Sequence, residues 1–170
     1  YKDGEKYKIL KYYQGRLLKE IKYKQDKAIS QKTYKENGSL VYEWNYEYDP
    51  KDRLRREWHK NGNIAYEGVT DEDGVMRRWY YGGQIAKEEY QVDGKLHGLC
   101  KYWSEEGNES SEITYQMGVP WNGTLNKYDR ISGEGKSEDV STYKEGKLDG
   151  IYIEYYYTDV ASKKHYKNEE

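Results

Sequence analysis

The sequence predicts an all-β protein, an elongated antiparallel meander of about seven stacked β-hairpin repeats in a single-layer or twisted open sheet. The first observation is a series of glycines spaced 21 to 24 residues apart: Gly15, Gly38, Gly62, Gly83 and Gly107. The second is a glutamate five positions after each of them: Glu20, Glu43, Glu67, Glu88 and Glu112. The third is the alternation of apolar and polar residues over 40–48, the period of a strand with one apolar face. A repeat of roughly 23 residues therefore organises the chain.

Each repeat carries a second turn signal about half a period after the first. The pattern Asp-Gly-Lys-Leu-His-Gly over Asp93–Gly98 returns as Glu-Gly-Lys-Leu-Asp-Gly over Glu145–Gly150. Asn-Gly and Asp-Gly between alternating segments are strong hairpin signals. Two turns per repeat leave room for two short strands, and the frequent glycines disfavour a continuous helix. We expect positive φ at Gly38, Gly62 and Gly107.

The whole chain, residues 1–170, is predicted to be a single repeat domain with incomplete first and last units. In the first unit Tyr12 stands three positions before Gly15, whereas the later units place an aromatic residue four positions before their glycine. The stretch 124–142 diverges from the repeat, and we expect it to be irregular or mobile. The polar stretch 163–170 is predicted to be a solvated end.

Composition excludes several functions. The chain has 29 Lys and Arg against 31 Asp and Glu, a net charge of −2, which argues against a nucleic-acid binder and a polybasic membrane-surface protein. Its mean hydropathy is −1.30, and no run approaches the roughly 20 apolar residues of a membrane span. It has 22 Tyr, 5 Trp and no Phe, which suits a thin structure that encloses few residues completely. The single Cys100 cannot form an internal disulfide.

The chain resembles the bacterial variant of MORN (membrane occupation and recognition nexus) repeats through the pattern Asn-Gly-x-Leu-x-x-Glu-x-x-Tyr-x-x-Asp-Gly-Lys-x-x-Gly. The matching residues are Gly15, Leu17, Glu20, Tyr23, Gly38, Leu40, Glu43, Tyr46, Gly62, Ile64, Glu67, Gly83, Ile85, Glu88, Gly107, Glu112 and Tyr115. The resemblance implies a repeat scaffold, described in some such proteins as the antitoxin or immunity partner of a secreted toxin. It also implies a bacterial protein, either cytoplasmic or exported to the cell envelope after removal of a signal absent from this chain.

The repeated glutamates and aromatic residues each have two interpretations. The glutamates are predicted on the face opposite the apolar residue that follows each glycine by two positions. They form either an acidic stripe for a basic partner or cations, or a structural column that accepts hydrogen bonds from turn N–H groups or tyrosine hydroxyls; repulsion in an unpaired row favours the second. A second column is aromatic and either stacks in the core or lines a groove for a peptide or glycan: Tyr34, Trp58, Trp79 and Trp103.

No catalytic, metal or cofactor site is predicted, and we expect no enzyme. The three histidines lie far apart: His59, His97 and His165. His97 and Cys100 are predicted on opposite faces of a strand, badly placed as a base and nucleophile. The acidic stretch 71–74 lacks most ligands of a calcium loop, and no helical pattern follows Gly133-Glu-Gly135 as a phosphate loop would require.

Two function classes remain. The first is a non-catalytic scaffold for protein–protein interaction, of which a toxin-neutralising partner is one form. It would bind another protein or a second copy of itself through an end or edge of the sheet. The candidate contact residues, placed where the repeat stops and alternatively a cap on the core, are Tyr152, Tyr155, Tyr156 and Tyr157. The second class is a carbohydrate-binding repeat module of a cell-envelope protein, because Trp79-Tyr-Tyr-Gly82 resembles glucan- and choline-binding units.

Overall fold

The computed structural model describes residues 7–46, 53–69, 73–130, 136–156 and 159–167; for 127–130, 136–139, 154–156 and 159–161 it describes the backbone alone. The described residues form fifteen strands and no helix. The strands pair antiparallel in one open meander sheet, so the predicted all-β hairpin architecture is confirmed. A helix of the length and apolar character that a membrane span requires is not found in these ranges.

The backbone contacts divide the chain into two compact units, residues 1–86 and 87–170. The strands of the first unit are β1 (Lys8–Tyr13), β2 (Arg16–Lys24), β3 (Lys27–Tyr34), β4 (Leu40–Asn45), β5 (Leu54–Trp58), β6 (Ile64–Val69) and β7 (Gly74–Trp79). Strand β8 (Ile85–Val92) begins in the first unit and lies mostly in the second. The remaining strands are β9 (Lys95–Leu96), β10 (Gly98–Trp103), β11 (Glu109–Gln116), β12 (Val119–Arg130), β13 (Lys136–Lys144), β14 (Lys147–Tyr156) and β15 (Asp159–Tyr166).

Two-residue turns close five hairpins within the described residues, and both residues of each turn have positive φ. The pairs are Gln14-Gly15, Gln25-Asp26, Asp93-Gly94, Met117-Gly118 and Glu145-Gly146. This geometry is that of type I′ turns, whose twist matches the twist of the flanking strands. Gly15 therefore sits in a loop one residue shorter than that of the later glycines. The shorter loop accounts for the aromatic residue three, rather than four, positions before it.

A second kind of turn has three residues and ends in a glycine with φ between 84° and 98°: Gly38, Gly62, Gly83 and Gly107. In the first, the Gly38 N–H donates to the Lys35 C=O at 2.9 Å, and the Asn37 side chain accepts from the Ser39 N–H at 3.0 Å. A type I turn followed by a residue in the left-handed region has this geometry. The positive φ predicted for Gly38, Gly62 and Gly107 is confirmed.

One face of the second unit carries a small, fully enclosed core. Cys100 is 0% and Ile113 1% exposed, and Tyr115 and Leu125 are also buried. Cys100 pairs with Ile113 in the register, and Ile113 pairs with Gly123, so the core follows a row across neighbouring strands. The first unit encloses less: Tyr66 is the buried large hydrophobic side chain among its described residues. Rings such as those of Tyr34, Trp44 and Trp58 lie half-buried in this unit, as expected for a chain rich in tyrosine.

The expected irregularity over 124–142 is wrong for the described part. Strand β12 is twelve residues long, and Gly123–Arg130 pairs with Lys136–Tyr143 without a register shift. Strand pairing uses backbone groups, so a segment with few apolar side chains still extends a sheet when its neighbour supplies the partners. Gly133 and Gly135 lie outside the described residues.

The stretch 163–170, predicted to be a solvated end, is exposed over its described residues 163–167, and part of it nevertheless forms strand. Lys163–Tyr166 belongs to β15, which pairs with β14. Tyr152 faces Lys164 in that register, and Tyr155 faces Val160. The candidate tyrosines therefore precede a further strand, contrary to the expectation that no successor covers them. Tyr157 lies outside the described residues.

Candidate functional site

The glutamates of the first unit form a row with basic residues on the sheet face opposite the buried Tyr66. The row crosses six strands in register: Glu20, Lys32, Glu43, Arg56, Glu67 and Arg77. Lys32 Nζ lies 3.2 Å from a Glu43 carboxylate oxygen, and Arg56 Nε lies 2.7 Å from a Glu67 oxygen. Arg77 approaches the other Glu67 oxygen at 3.7 Å. We name this row, with its counterpart in the second unit, the charge ladder.

The second unit carries a counterpart of this row, formed by Glu88, Lys101 and Glu112, which face one another in register. Lys101 Nζ lies 2.7 Å from a Glu112 oxygen, and this contact raises the pKa of the Lys101 ammonium. Lys101 and Glu112 are the strand neighbours of Cys100 and Ile113, so they lie on the face away from the core.

The basic members of the charge ladder are a signal that the sequence reasoning missed. They stand six positions before each three-residue turn glycine: Lys32, Arg56, Arg77 and Lys101. Glu20, in the shorter first unit, instead pairs with Lys8 at 3.2 Å. Because acids alternate with bases across the strands, the glutamates do not present an unbroken acidic stripe to a partner.

A row of stacked aromatic rings and guanidinium groups crosses the other face of the first unit. The Tyr46 and Trp44 rings stack with centroids 6.1 Å apart and planes at 7°. The Arg55 guanidinium lies 5.2 Å from the Trp44 centroid and 5.8 Å from that of Tyr66, and Arg78 lies 5.1 Å from Tyr66. Cations over ring faces are attracted by the ring quadrupole. The row thereby stabilises a face that has little enclosed core.

A groove of about 930 Å³ adjoins this row on strands β2 and β3. Its lining residues are Ile21, Tyr23, Lys24, Gln25, Lys27, Ala28, Ile29, Gln31, Tyr46 and Arg53. Three of them are cations, and within the described part of the chain none is a carboxylate. We name it the basic groove.

The structure places the predicted aromatic column at the ends of strands. Its four members are half-buried at the last strand position before a three-residue turn: Tyr34, Trp58, Trp79 and Trp103. Next to this column, turns of successive repeats are linked by side chains for which the sequence predicted no such role. Asn61 Nδ2 donates to the Tyr81 C=O at 2.7 Å and Asn63 Nδ2 to the same oxygen at 3.1 Å, while His59 Nε2 lies 2.9 Å from the Trp79 C=O. His59 is thus engaged in joining turns.

His97 and Cys100 do not form a reactive pair. The expected placement of His97 on a strand is wrong, because it lies between β9 and β10. Cys100 is completely buried, and burial raises the pKa of its thiol, which disfavours the reactive thiolate. Among the described residues no three potential metal ligands come together; residues 71 and 72 of the acidic stretch lie outside them.

The described candidate contact residues all lie in β14, near the C-terminal edge of the sheet. Near the C-terminal edge, Tyr152 is half-buried and its ring meets that of Tyr166 edge-on at 6.3 Å. Side chains of Tyr155 and Tyr156 are outside the described set, and only their backbone in β14 is placed. The N-terminal edge strand β1 and its preceding residue instead carry a group of strongly exposed apolar side chains: Tyr7, Leu10, Tyr12 and Tyr13.

No protein-family model matches this chain, and no curated protein matches it significantly. The resemblance to bacterial MORN-type repeats therefore stays a prediction from the sequence. Function has to be argued from the geometry of the surfaces themselves.

Proposed function

We propose that this protein is a non-catalytic repeat scaffold that binds another protein through the edge strand β1. The observation that carries the proposal is the exposure of large apolar side chains there: Tyr7 is 56%, Tyr12 58% and Tyr13 56% exposed. Clustered exposed apolar side chains, unlike scattered ones, mark interaction surfaces. Tyrosine provides contact area at a low cost in conformational entropy.

The backbone of β1 offers a second means of binding. The Tyr23 N–H donates to the Tyr7 C=O at 2.9 Å, so the backbone groups of Tyr7 face β2. Since these groups alternate along an antiparallel strand, those of Lys8 and Leu10 face away from β2. Within the described residues, no strand pairs with this outer side of β1. An extended segment of a partner can therefore add to the sheet as a further strand.

The partner is another protein or a second copy of this chain, and a toxin that is neutralised by the binding is one form of the proposal. The proposal includes neither a cofactor nor a nucleic acid as a ligand. The candidate tyrosines near the C-terminus remain a predicted second contact: Tyr152, Tyr155, Tyr156 and Tyr157.

The test uses a Leu10→Pro variant, which removes a backbone N–H from the outer side of β1 while leaving the hydrogen bonds to β2. Sedimentation velocity over a range of concentrations measures self-association, and calorimetric titration measures binding of the purified products of neighbouring genes. We expect Leu10→Pro and Tyr12→Ser/Tyr13→Ser to lose association at unchanged circular dichroism. Tyr81→Ser, at an equally exposed ring elsewhere, is the control.

Two results would overturn the assignment to β1. One is a wild-type protein that stays monomeric and binds none of the tested proteins. The other is a complex that Leu10→Pro leaves intact. If Tyr155→Ser/Tyr157→Ser abolishes that complex, the contact lies at the C-terminal end instead.

A further inference from the structure

The basic groove on the first unit has a charge arrangement that the charge ladder lacks. Lys24 and Lys27 face each other directly in the register on either side of the Gln25-Asp26 turn. Arg53 is the third cation of the lining. Like charges directly opposite each other in a sheet are destabilising. Asp26 lies in the turn itself and is not among the lining residues.

Several other cations of the first unit lie against acids. Lys32, Arg56 and Arg77 each lie within 4 Å of a glutamate oxygen, and Arg55 forms an ion pair with Glu57. The basic groove therefore places three cations, and no carboxylate of a described residue, around one concave surface of the first unit. Such a local field attracts an anionic ligand even though the whole chain carries a net charge of −2.

The groove also has an apolar part formed by Ile21, Ile29 and the rings of Tyr23 and Tyr46. Tyr46 is held in place by its stacking on Trp44, and burial raises the pKa of its phenol, so that its ring stays neutral. The volume of the basic groove, about 930 Å³, is near the upper end of the range for ligand pockets. A lone phosphate would leave most of that space and the apolar part unused.

We infer that the basic groove binds an extended acidic segment of a partner protein, with carboxylates at Lys24, Lys27 and Arg53 and an apolar side chain against Tyr23 and Tyr46. This inference deepens the proposed function by naming the chemistry of a partner. It concerns a different surface from β1, and the two are disrupted by different variants. A single-stranded nucleic acid is the competing anion, and the test includes it.

The probe is a fluorescein-labelled, acetylated octapeptide in which glutamate alternates with tyrosine. A matched peptide with glutamine at each glutamate position has the same length and rings without the charge. Fluorescence anisotropy at about 50 mM salt gives the affinities, because weak screening preserves surface electrostatics. We expect the glutamate peptide to bind at least about tenfold tighter than the glutamine peptide, a preference that shrinks at high salt.

Lys24→Glu/Lys27→Glu should weaken binding of the glutamate peptide about tenfold or more. The chain offers a matched control, since Lys144 and Lys147 face each other across the Glu145-Gly146 turn in the same way. Lys144→Glu/Lys147→Glu changes the net charge equally and should leave the affinity unchanged. Lys24→Gln/Lys27→Gln is a milder variant should the reversal impair folding, which circular dichroism checks.

Equal affinity for the two peptides, absence of binding to the folded wild type, or equal weakening by both lysine pairs would overturn the inference. Tighter binding of an eight-nucleotide oligothymidine than of the peptide would also overturn it and reassign the groove to nucleic acid. Leu10→Pro should leave peptide affinity unchanged. Loss of association through β1 with retained peptide binding, or the reverse, separates this inference from the proposed function.

Discussion

The glutamate that follows each turn glycine is paired in space with a base that precedes the turn. Glu67 shows the arrangement most fully, since Arg56 binds one carboxylate oxygen at 2.7 Å and Arg77 approaches the other at 3.7 Å. The Glu67 side chain is 24% exposed, which keeps the contacts partly shielded from water. Cross-strand pairs of opposite charge stabilise sheets modestly, by roughly 0.2–1 kcal/mol each.

The first prediction at this scale concerns Glu67. Replacing Glu67 with Gln should lower the free energy of unfolding by about 1 kcal/mol, because two cations lose their acid. Urea denaturation at low and high salt measures it, and the loss should shrink with salt. Glu36→Gln, in an exposed turn, is the control and should change little. A loss no larger than that of Glu36→Gln would show that the charge ladder does not contribute to stability.

Glu89 is a buried acid on the core face of the second unit. It is 7% exposed, and its carboxylate accepts from Lys87 Nζ at 2.9 Å and from the Tyr102 hydroxyl at 3.1 Å. Burial, and then the charge of Glu89, raise the pKa of Tyr102 above its ordinary value of 10.0. The folded state thus favours the neutral phenol, since a phenolate there would be desolvated and repelled by Glu89.

The second prediction follows from the sign of that shift. Above pH 10 the unfolded chain ionises this phenol while the folded protein does not. The neutral Tyr102 phenol therefore contributes fully to the free energy of unfolding below pH 10. This contribution is lost as the pH rises through the higher folded-state pKa, at about 1.4 kcal/mol per pH unit. Tyr102→Phe should reduce this alkaline slope of the unfolding free energy, whereas Tyr81→Phe, at an exposed ring, should not. Equal alkaline slopes in the wild type, Tyr102→Phe and Tyr81→Phe would contradict the assignment of this slope to Tyr102.

At the scale of the elements, loop length determines which positions of a turn need positive φ. Two-residue turns such as Asp93-Gly94 need positive φ at both positions, whereas the three-residue turns need it only at the last. Register shifts lie beside turns of both kinds, as between Thr33 and Tyr34 beside a three-residue turn and between Lys22 and Tyr23 beside a two-residue turn. The shifts keep the strand faces consistent from one hairpin to the next, because side chains alternate with a period of two.

The third prediction separates two reasons for a glycine. A Cβ at Gly38 would meet no atom within 4 Å, so Gly38→Val should cost about 1–2 kcal/mol from its φ alone. A Cβ at Gly123 would clash with the Glu112 carbonyl oxygen and lie 2.8 Å from the Ile113 Cα. Gly123→Ala should therefore cost about 3 kcal/mol or more. Chemical denaturation measures both.

The control for these glycines is Val41→Ile, a strand substitution that should change the unfolding free energy by less than about 0.5 kcal/mol. Gly38→Asn should be better tolerated than Gly38→Val, since Asn accepts the left-handed region more readily. Similar costs for all four variants would show that neither φ nor the close backbone approach constrains these positions.

At the scale of the whole molecule, the two units are stabilised differently. The second unit buries Cys100, Ile113, Tyr115 and Leu125, whereas the first relies on half-buried rings and guanidinium groups. Enclosed apolar side chains carry most of the hydrophobic stabilisation of a domain. We therefore expect amide hydrogen exchange to be slowest in β10 and β11.

The fourth prediction uses Cys100, the single cysteine of the chain, as a probe of opening. Its thiol is completely buried and has a raised pKa, so iodoacetamide should label it only when the second unit opens. Leu125→Ala, with a cost of about 3 kcal/mol, should raise the labelling rate by about a hundredfold. Glu36→Cys in a Cys100→Ser background reports the rate of an exposed thiol. Labelling of folded wild type at that rate would show that the core is accessible.

The sequence by itself determined the repeat, the hairpin architecture, the turn glycines and the face of the glutamates. These features depend on local rules: the period of two along a strand and the φ values that a turn permits. The same rules were insufficient at 124–142 and 163–166, because strand formation there depends on neighbours that lie far along the chain.

Only the tertiary structure decided which base faces each glutamate, which rings are enclosed and how the three cations of the basic groove come together. The pairing of Glu43 with Lys32 follows from the offset between strands, and a one-residue change of register would have moved every side chain to the other face. That offset is set jointly by turn lengths and register shifts on successive strands. The basic groove arises in the same way, since Tyr46 and Arg53 reach Lys24 and Lys27 only when β2, β3 and β4 lie side by side.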